Sequence, residues 1–193
     1  MSTDLSIPLA TIDKAITILQ ASGVGVMPTD TVYGLVARAQ DEQAVTRLYA
    51  LKKRENKPGT IIAANTDQLL ELGVDHALIN EVKQWWPNPL SVILPLPDTF
   101  AYLHQNVGDI AVRVVADESV RKVLQKTGPL VTSSANHPGK PGATTIEEAW
   151  QYFKDTVDFY VDGGNLDGRA SSTIIRITDN NTIEILRQGA FQF

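Results

Sequence analysis

Short apolar runs, most of them too brief for a helix, alternate along this chain with segments of helical periodicity, and that alternation leaves few folds open. The runs lie at Val24 to Met27, Thr60 to Ala64, Leu90 to Leu96, Ile110 to Val115, Leu130 to Thr132, Val157 to Val161, Thr173 to Ile177 and Ile183 to Leu186. Between them, Ile12, Ala15, Ile16 and Leu19 share a helical face behind a Thr11 N-cap, and Ala44, Val45, Leu48 and Tyr49 share another behind Asp41. Further helices are predicted over Ala77 to Trp86 and from Asp117 or Glu118 to Lys126, with a short one capped by Thr66 or Asp67 and reaching Leu72. Thr145-Ile146-Glu147-Glu148 has the form of a capping box opening a helix to about Lys154, and Asp179-Asn180-Asn181 reads as a turn between the last two strands. No linker, repeat or low-complexity tract divides the chain. Residues 1–193 are therefore expected to form one α/β domain of mixed topology.

Composition narrows the function classes. With 43% hydrophobic and 20% charged residues the chain matches an ordinary soluble domain with a real core. No stretch approaches the ~20 apolar residues that span a bilayer, and Met1-Ser2-Thr3-Asp4 lacks a signal peptide's basic start, so no membrane contact is expected and cytoplasm is the default compartment. The absence of cysteine excludes disulfides and thiolate metal sites, and His76, His104 and His137 have no ligand spacing, so no protein-held metal is expected. A net charge of −5 argues against non-specific coating of nucleic acid. Residues 38–57 are nonetheless locally cationic through Arg38, Arg47, Lys52, Lys53, Arg54 and Lys57.

Chemistry-bearing residues gather where apolar runs end. Pro28 interrupts the first run, making Pro28 to Thr31 a shaped loop at a strand end, the place where open α/β sheets bind ligands. Lys52 and Arg54 emerge where the Asp41-capped helix stops, as an anion clamp or as cations complementing the helix dipole. Ser133-Ser134-Ala135-Asn136 is a second hydroxyl-rich turn, either a ligand contact or an Asx or Ser turn satisfying its own backbone. Arg113 ends an apolar run and needs an anion, either a ligand carboxylate or one of Asp109, Asp117 and Glu118. Trp85 and Trp86 offer base stacking or plain packing, and the glycines of Asp162 to Arg169 offer a phosphate cradle or a plain loop without P-loop or Rossmann spacing.

Taken in order, Pro28-Thr29-Asp30-Thr31-Val32-Tyr33-Gly34-Leu35, Lys52-x-Arg54, Ala111-Val112-Arg113, Ser134-Ala135-Asn136, Ser172-Thr173-Ile174 and Leu186-Arg187-Gln188-Gly189 resemble the signatures of the YrdC/TsaC family, the threonylcarbamoyl-AMP synthases. The resemblance covers roughly residues 11 to 190 and is to the short single-domain form. It implies a single YrdC-like domain, a twisted mixed β-sheet flanked by helices around a large open ligand cavity. It also implies a nucleotidyltransferase reaction. Threonine takes up bicarbonate to give a carbamate, which attacks the α-phosphate of ATP and expels pyrophosphate. Partner transferase proteins then pass the threonylcarbamoyl group to the adenosine beside the anticodon in tRNAs reading codons that begin with A, with at most weak tRNA contact by the synthase itself.

Carried over residue by residue, the family pattern assigns ATP to Lys52, Arg54, Ser134, Asn136, Thr144 and Arg187, with Lys52 and Arg54 nearest the chemistry. It assigns threonine to Thr31, Arg113 and Ser172. Mg²⁺ is expected only as a companion of ATP. Departures from the pattern are Val36-Ala37-Arg38 after Leu35, the shortened Glu55-Asn56-Lys57-Pro58-Gly59 loop, and Asp109 where a small hydroxyl residue is usual. Two rival readings are a non-catalytic RNA-binding or ribosome-maturation factor and a carbamoyl-transfer relative using carbamoyl phosphate.

Overall fold

The computed structural model describes residues 7–178 and 182–193, so the expected turn at Asp179-Asn180-Asn181 lies outside the described residues. Its elements are α1 (Ile12–Gln20), β1 (Gly25–Pro28), β2 (Tyr33–Arg38), α2 (Glu42–Lys52), β3 (Thr60–Ala63), α3 (Thr66–Glu71), α4 (His76–Val82), β4 (Leu90–Pro95), α5 (Ala101–His104), β5 (Asp109–Val114), α6 (Glu118–Thr127), β6 (Leu130–Ser134), α7 (Ile146–Phe153), β7 (Phe159–Tyr160), β8 (Thr173–Ile177) and β9 (Ile183–Arg187). The strands form one nine-stranded sheet in the order β7-β1-β2-β6-β3-β5-β4-β8-β9. Pairings are parallel for β1–β7, β3–β5 and β4–β8 and antiparallel for the rest, the mixed topology expected.

Caps set the helix starts. Thr11, Asp41, Asp117 and Thr145 each accept a backbone N–H with their side chains, as their positions predict. For α3 the cap is Asn65, which accepts from Gln68, and not Thr66 or Asp67. The Glu148 carboxylate reaches back to accept from the Thr144 N–H and hydroxyl at 2.7 and 3.0 Å, one residue beyond the standard box. The expected helix to Trp86 ends as a 3-10 turn over Lys83–Trp85.

β2 was not expected at all. Pro28 reads as a breaker, yet it pairs with Tyr33 at the turn end of an antiparallel hairpin, where a missing N–H costs the ladder little. Gly34 is required there because a Cβ would lie 2.4 Å from Thr132 Oγ1. Trp86 is packing, not a stacking platform: its buried Nε1 donates to Leu90 O at 2.8 Å. Trp85 meets Phe193 edge to face. Residues 162–164 are tied to the hairpin through Tyr33, whose hydroxyl accepts from Gly163 N at 2.7 Å and donates to Gly164 O at 2.9 Å.

Side chains alternate across a strand, so the register assigns each residue a face. On one face Val36, Ile62 and Leu130 lie under α1 and α6, packed against Ala15, Ile16, Leu19, Val120, Val123 and Leu124. Each large aliphatic buried there contributes roughly 1.5–3 kcal/mol. Further along the same face, Gly34 pairs with Ser134 and Thr60 pairs with Thr132 and Ala111. These residues line a cavity. The opposite face, with Leu35, Ala37, Ile61, Val112 and Val131, joins α2, α5 and α7 in the larger core.

Candidate functional site

The uncovered end of the first face is floored by Gly34, Thr60, Ala111, Thr132 and Ser134 and walled by Thr31, Arg113, Ser172 and Arg187, enclosing about 230 Å³. A second cavity of about 420 Å³ lies beside it, lined by Lys52, Lys53, Glu55, Lys57, Asn136, Pro138 and Gly139. Arg54 and Ser134 border both. Every site residue expected from sequence therefore lines one of the two cavities except Thr144. Thr144 lines neither; it follows Ala143, whose N–H donates to Ala135 O, and its hydroxyl donates to Glu148.

Lys52 ends α2, and Lys53 caps the helix in the left-handed conformation. The Lys52 ammonium turns inward, with the residue only 2% exposed, and donates to Ser134 O at 2.7 Å, to Asn136 Oδ1 at 2.7 Å and to Asn136 O. It thus ties the end of β6 in place and does not cap its own helix, which sets aside the helix-dipole reading. Ser133 and Ser134 belong to β6 itself and not to a turn. Ser134 Oγ donates to Asn136 Oδ1 at 2.7 Å, so these two side chains both satisfy each other and border the cavities.

Charge is unevenly compensated. Arg54 donates to Lys57 O and Pro58 O at 3.2 and 3.0 Å, and Arg187 donates to Ser172 O at 3.1 and 2.7 Å and to Ser172 Oγ at 3.1 Å. Among the described residues no carboxylate comes within ion-pair distance of Lys52, Arg54 or Arg187. Burial, with the Arg54 charge second, lowers the Lys52 ammonium to about 7. Burial also lowers Arg54, and lowers Arg187 together with the charges of Arg113 and Arg54. Partly dehydrated cations without carboxylate partners form a site for an anion.

Arg113 differs. Its guanidinium is paired with Asp30, both side chains about 95% buried, with Nε 3.2 and 3.0 Å from the carboxylate oxygens and Nη2 at 2.5 Å. This corrects the expected partners. Asp109 pairs with Arg176 at 2.8 Å, Asp117 caps α6, and Glu118 lies 3.9 Å from Arg121. Sequence reasoning also missed Ser91, fully buried, whose Oγ donates to Ser172 Oγ at 3.0 Å and lies 3.5 Å from Arg113 Nη1. Thr60 and Thr132 were missed as site residues because they sit inside strands. Polar residues interrupting apolar strand runs were the available signal.

The Sua5/YciO/YrdC family model, described as telomere recombination, matches residues 17–189. A protein of Pseudomonas syringae named threonylcarbamoyl-AMP synthase is 34% identical over 179 residues, covering 89% of this chain and 93% of its own length. Among solved structures, P. abyssi Sua5 complexed with L-threonine is 31% identical with a TM-score of 0.82; 92% of this chain is covered, but only 54% of that longer one. E. coli YciO is 25% identical with a TM-score of 0.81, covering 96% of this chain and 94% of its own. The matched span includes every residue that lines the two cavities, and the chain belongs to the Sua5/YciO/YrdC family.

Proposed function

We propose that the protein makes threonylcarbamoyl-AMP from L-threonine, bicarbonate and ATP. The observation that carries this reading is the lining of the site: Lys52 and Arg54, cations without carboxylate partners, border the larger cavity, while hydroxyls and the charge-compensated Arg113 line the smaller one, which Arg54 and the likewise uncompensated Arg187 also border. Lys52, Arg54 and Arg187 serve the phosphates, Ser134 and Asn136 the nucleotide, and Thr144 supports the adenosine side. Thr31, Arg113 and Ser172 hold threonine. The threonine nitrogen bonds to the carbon of bicarbonate with loss of water, and a carbamate oxygen attacks the α-phosphorus as the bond to pyrophosphate breaks. Such a transfer needs positioned charge more than a covalent nucleophile.

The charged lining is mostly cationic, and no cluster of three metal-ligating His, Asp or Glu side chains stands among the described residues. These residues fit the triphosphate, on which Mg²⁺ enters. Transferase proteins that consume the adenylate, a weak tRNA contact and a cytoplasmic location complete the proposal. Incubation with ATP, bicarbonate and each of threonine, serine or carbamoyl phosphate should release pyrophosphate and form an adenylate with threonine best. Turnover with carbamoyl phosphate instead, or none with any of them, would reject the reading.

The Lys52 ammonium also makes nucleotide binding depend on pH. Affinity for ATP should fall roughly tenfold from about pH 7 to 8.5 as the ammonium is lost. The stability of the ligand-free protein should move the opposite way. Between about 7 and the ordinary lysine range the unfolded chain binds a proton that the folded one does not, so the fold gains stability as pH rises through that window. Calorimetric titration and thermal melting across the range check both signs; parallel trends would show that another group governs the dependence.

A further inference from the structure

Asp30 lines neither cavity, yet it decides what Arg113 can offer to one. The turn that carries Asp30 is held without its carboxylate. Thr29 N and Oγ1 both donate to Val32 O, at 3.1 and 2.7 Å, and Thr31 N donates to Thr29 Oγ1 at 3.3 Å. The carboxylate is thereby left to reach Arg113, 83 residues further along the chain, and to occupy the Nε and Nη2 edge of its guanidinium. On the other edge, Nη1 lies 3.5 Å from Ser91 Oγ and Nη2 lies 3.5 Å from Thr31 Oγ1. Those distances are long for settled hydrogen bonds, so this edge retains donors for a planar anion.

The pairing has an electrostatic result as well. Arg113 alone among the cavity's arginines on the amino-acid side is neutralised by a buried carboxylate, whereas Arg187 and Arg54 beside it are not. A polyphosphate is drawn to uncompensated charge, while a carboxylate on a neutralised guanidinium is held by hydrogen-bond geometry. We propose that Asp30 is a positioning residue that turns the Nη1–Nη2 edge of Arg113 toward the substrate carboxylate and keeps phosphates from settling on Arg113. This inference rests on the assignment of that cavity to the amino acid.

The test is calorimetric titration of threonine and of ATP, with inorganic pyrophosphate as competitor, on the wild type, Asp30→Asn and Asp30→Glu. In Asp30→Asn, threonine binding should weaken about tenfold or more, the scale of a lost charge-assisted contact, and pyrophosphate should become competitive with threonine. ATP affinity should change little. Asp30→Glu keeps the charge but displaces it by one methylene, so threonine should weaken without pyrophosphate competition. Equal weakening of threonine and ATP, or unchanged threonine affinity in either folded variant, would overturn the proposal; should Asp30→Asn not fold, Asp30→Glu decides alone. A wild type that fails to bind threonine would overturn the amino-acid assignment itself and Asp30's role with it.

Discussion

Lys52→Ala is expected to reduce adenylate formation about a hundredfold and to lower the melting temperature as well, whereas Arg54→Ala loses comparable activity with little change in melting. A purely surface clamp would leave stability untouched in both. The burial of Lys52 and its bonds to Ser134 and Asn136 separate the two residues. Each hydrogen bond from a charged group contributes ~1.5–3 kcal/mol, and removing the ammonium takes the donor from Asn136 O and one of two donors from Ser134 O, which keeps the Asn136 N–H. Arg54 donates only to the loop carbonyls of Lys57 and Pro58, one of them at the surface, so its loss falls on the bound phosphate. Pyrophosphate release and thermal melting measured side by side test the difference. Identical melting of Lys52→Ala and wild type would show that the ammonium does not hold the turn.

Gly189→Ala should be at least as damaging, though Gly189 lines no cavity. A Cβ there would lie 2.2 Å from Ser171 O, 2.5 Å from Ser172 C and 2.6 Å from Ser172 O. All three are backbone atoms, so no rotamer change relieves the overlap. Forced overpacking of this kind costs ~1–3 kcal/mol, or about 3–10 °C in melting temperature for a domain of this size. The same Ser172 carbonyl accepts two of the three bonds that fix Arg187, and Gly189 N donates to Thr173 Oγ1 at 3.0 Å. Movement there displaces the phosphate-side arginine and the Ser172 hydroxyl together. Both ATP and threonine should bind more weakly in calorimetry, and a variant that melts like the wild type with normal affinities would contradict the geometry.

Local rules recovered what is locally encoded. Thr11, Asp41, Asp117 and Thr145 announced their helices because a cap needs only the next three residues. The hairpin strand β2 escaped because Pro28 reads as a breaker in isolation, and only the partner Thr132 explains why a glycine must sit at position 34. The residues assigned through the family signatures, Thr144 apart, line the two cavities, but their partners were not legible. Asp30 stood within the quoted motif, while its pairing spans 83 residues and could not be told from three nearer acidic candidates. Lys52 looked like an ordinary last-turn lysine, since helical periodicity says where a side chain starts and not that its ammonium bends inward to the end of β6, 82 residues on.

One face of the sheet serves two ends within the same strands. In β6, Leu130 lies under α6 while Thr132 and Ser134, two and four residues on, meet the cavity; β3 repeats the division with Ile62 and Thr60. What folds the protein and what the protein binds are consequently written in alternate letters of one short word. A change at Thr60 or Thr132 alters the shape offered to a substrate without touching the contacts that seat α1 and α6, and a change at Ile62 or Leu130 does the reverse. Such a layout lets the shape of the cavity change by single substitutions while the scaffold stays fixed, and it marks the floor threonines as the first positions to vary in redirecting the cavity to a different ligand.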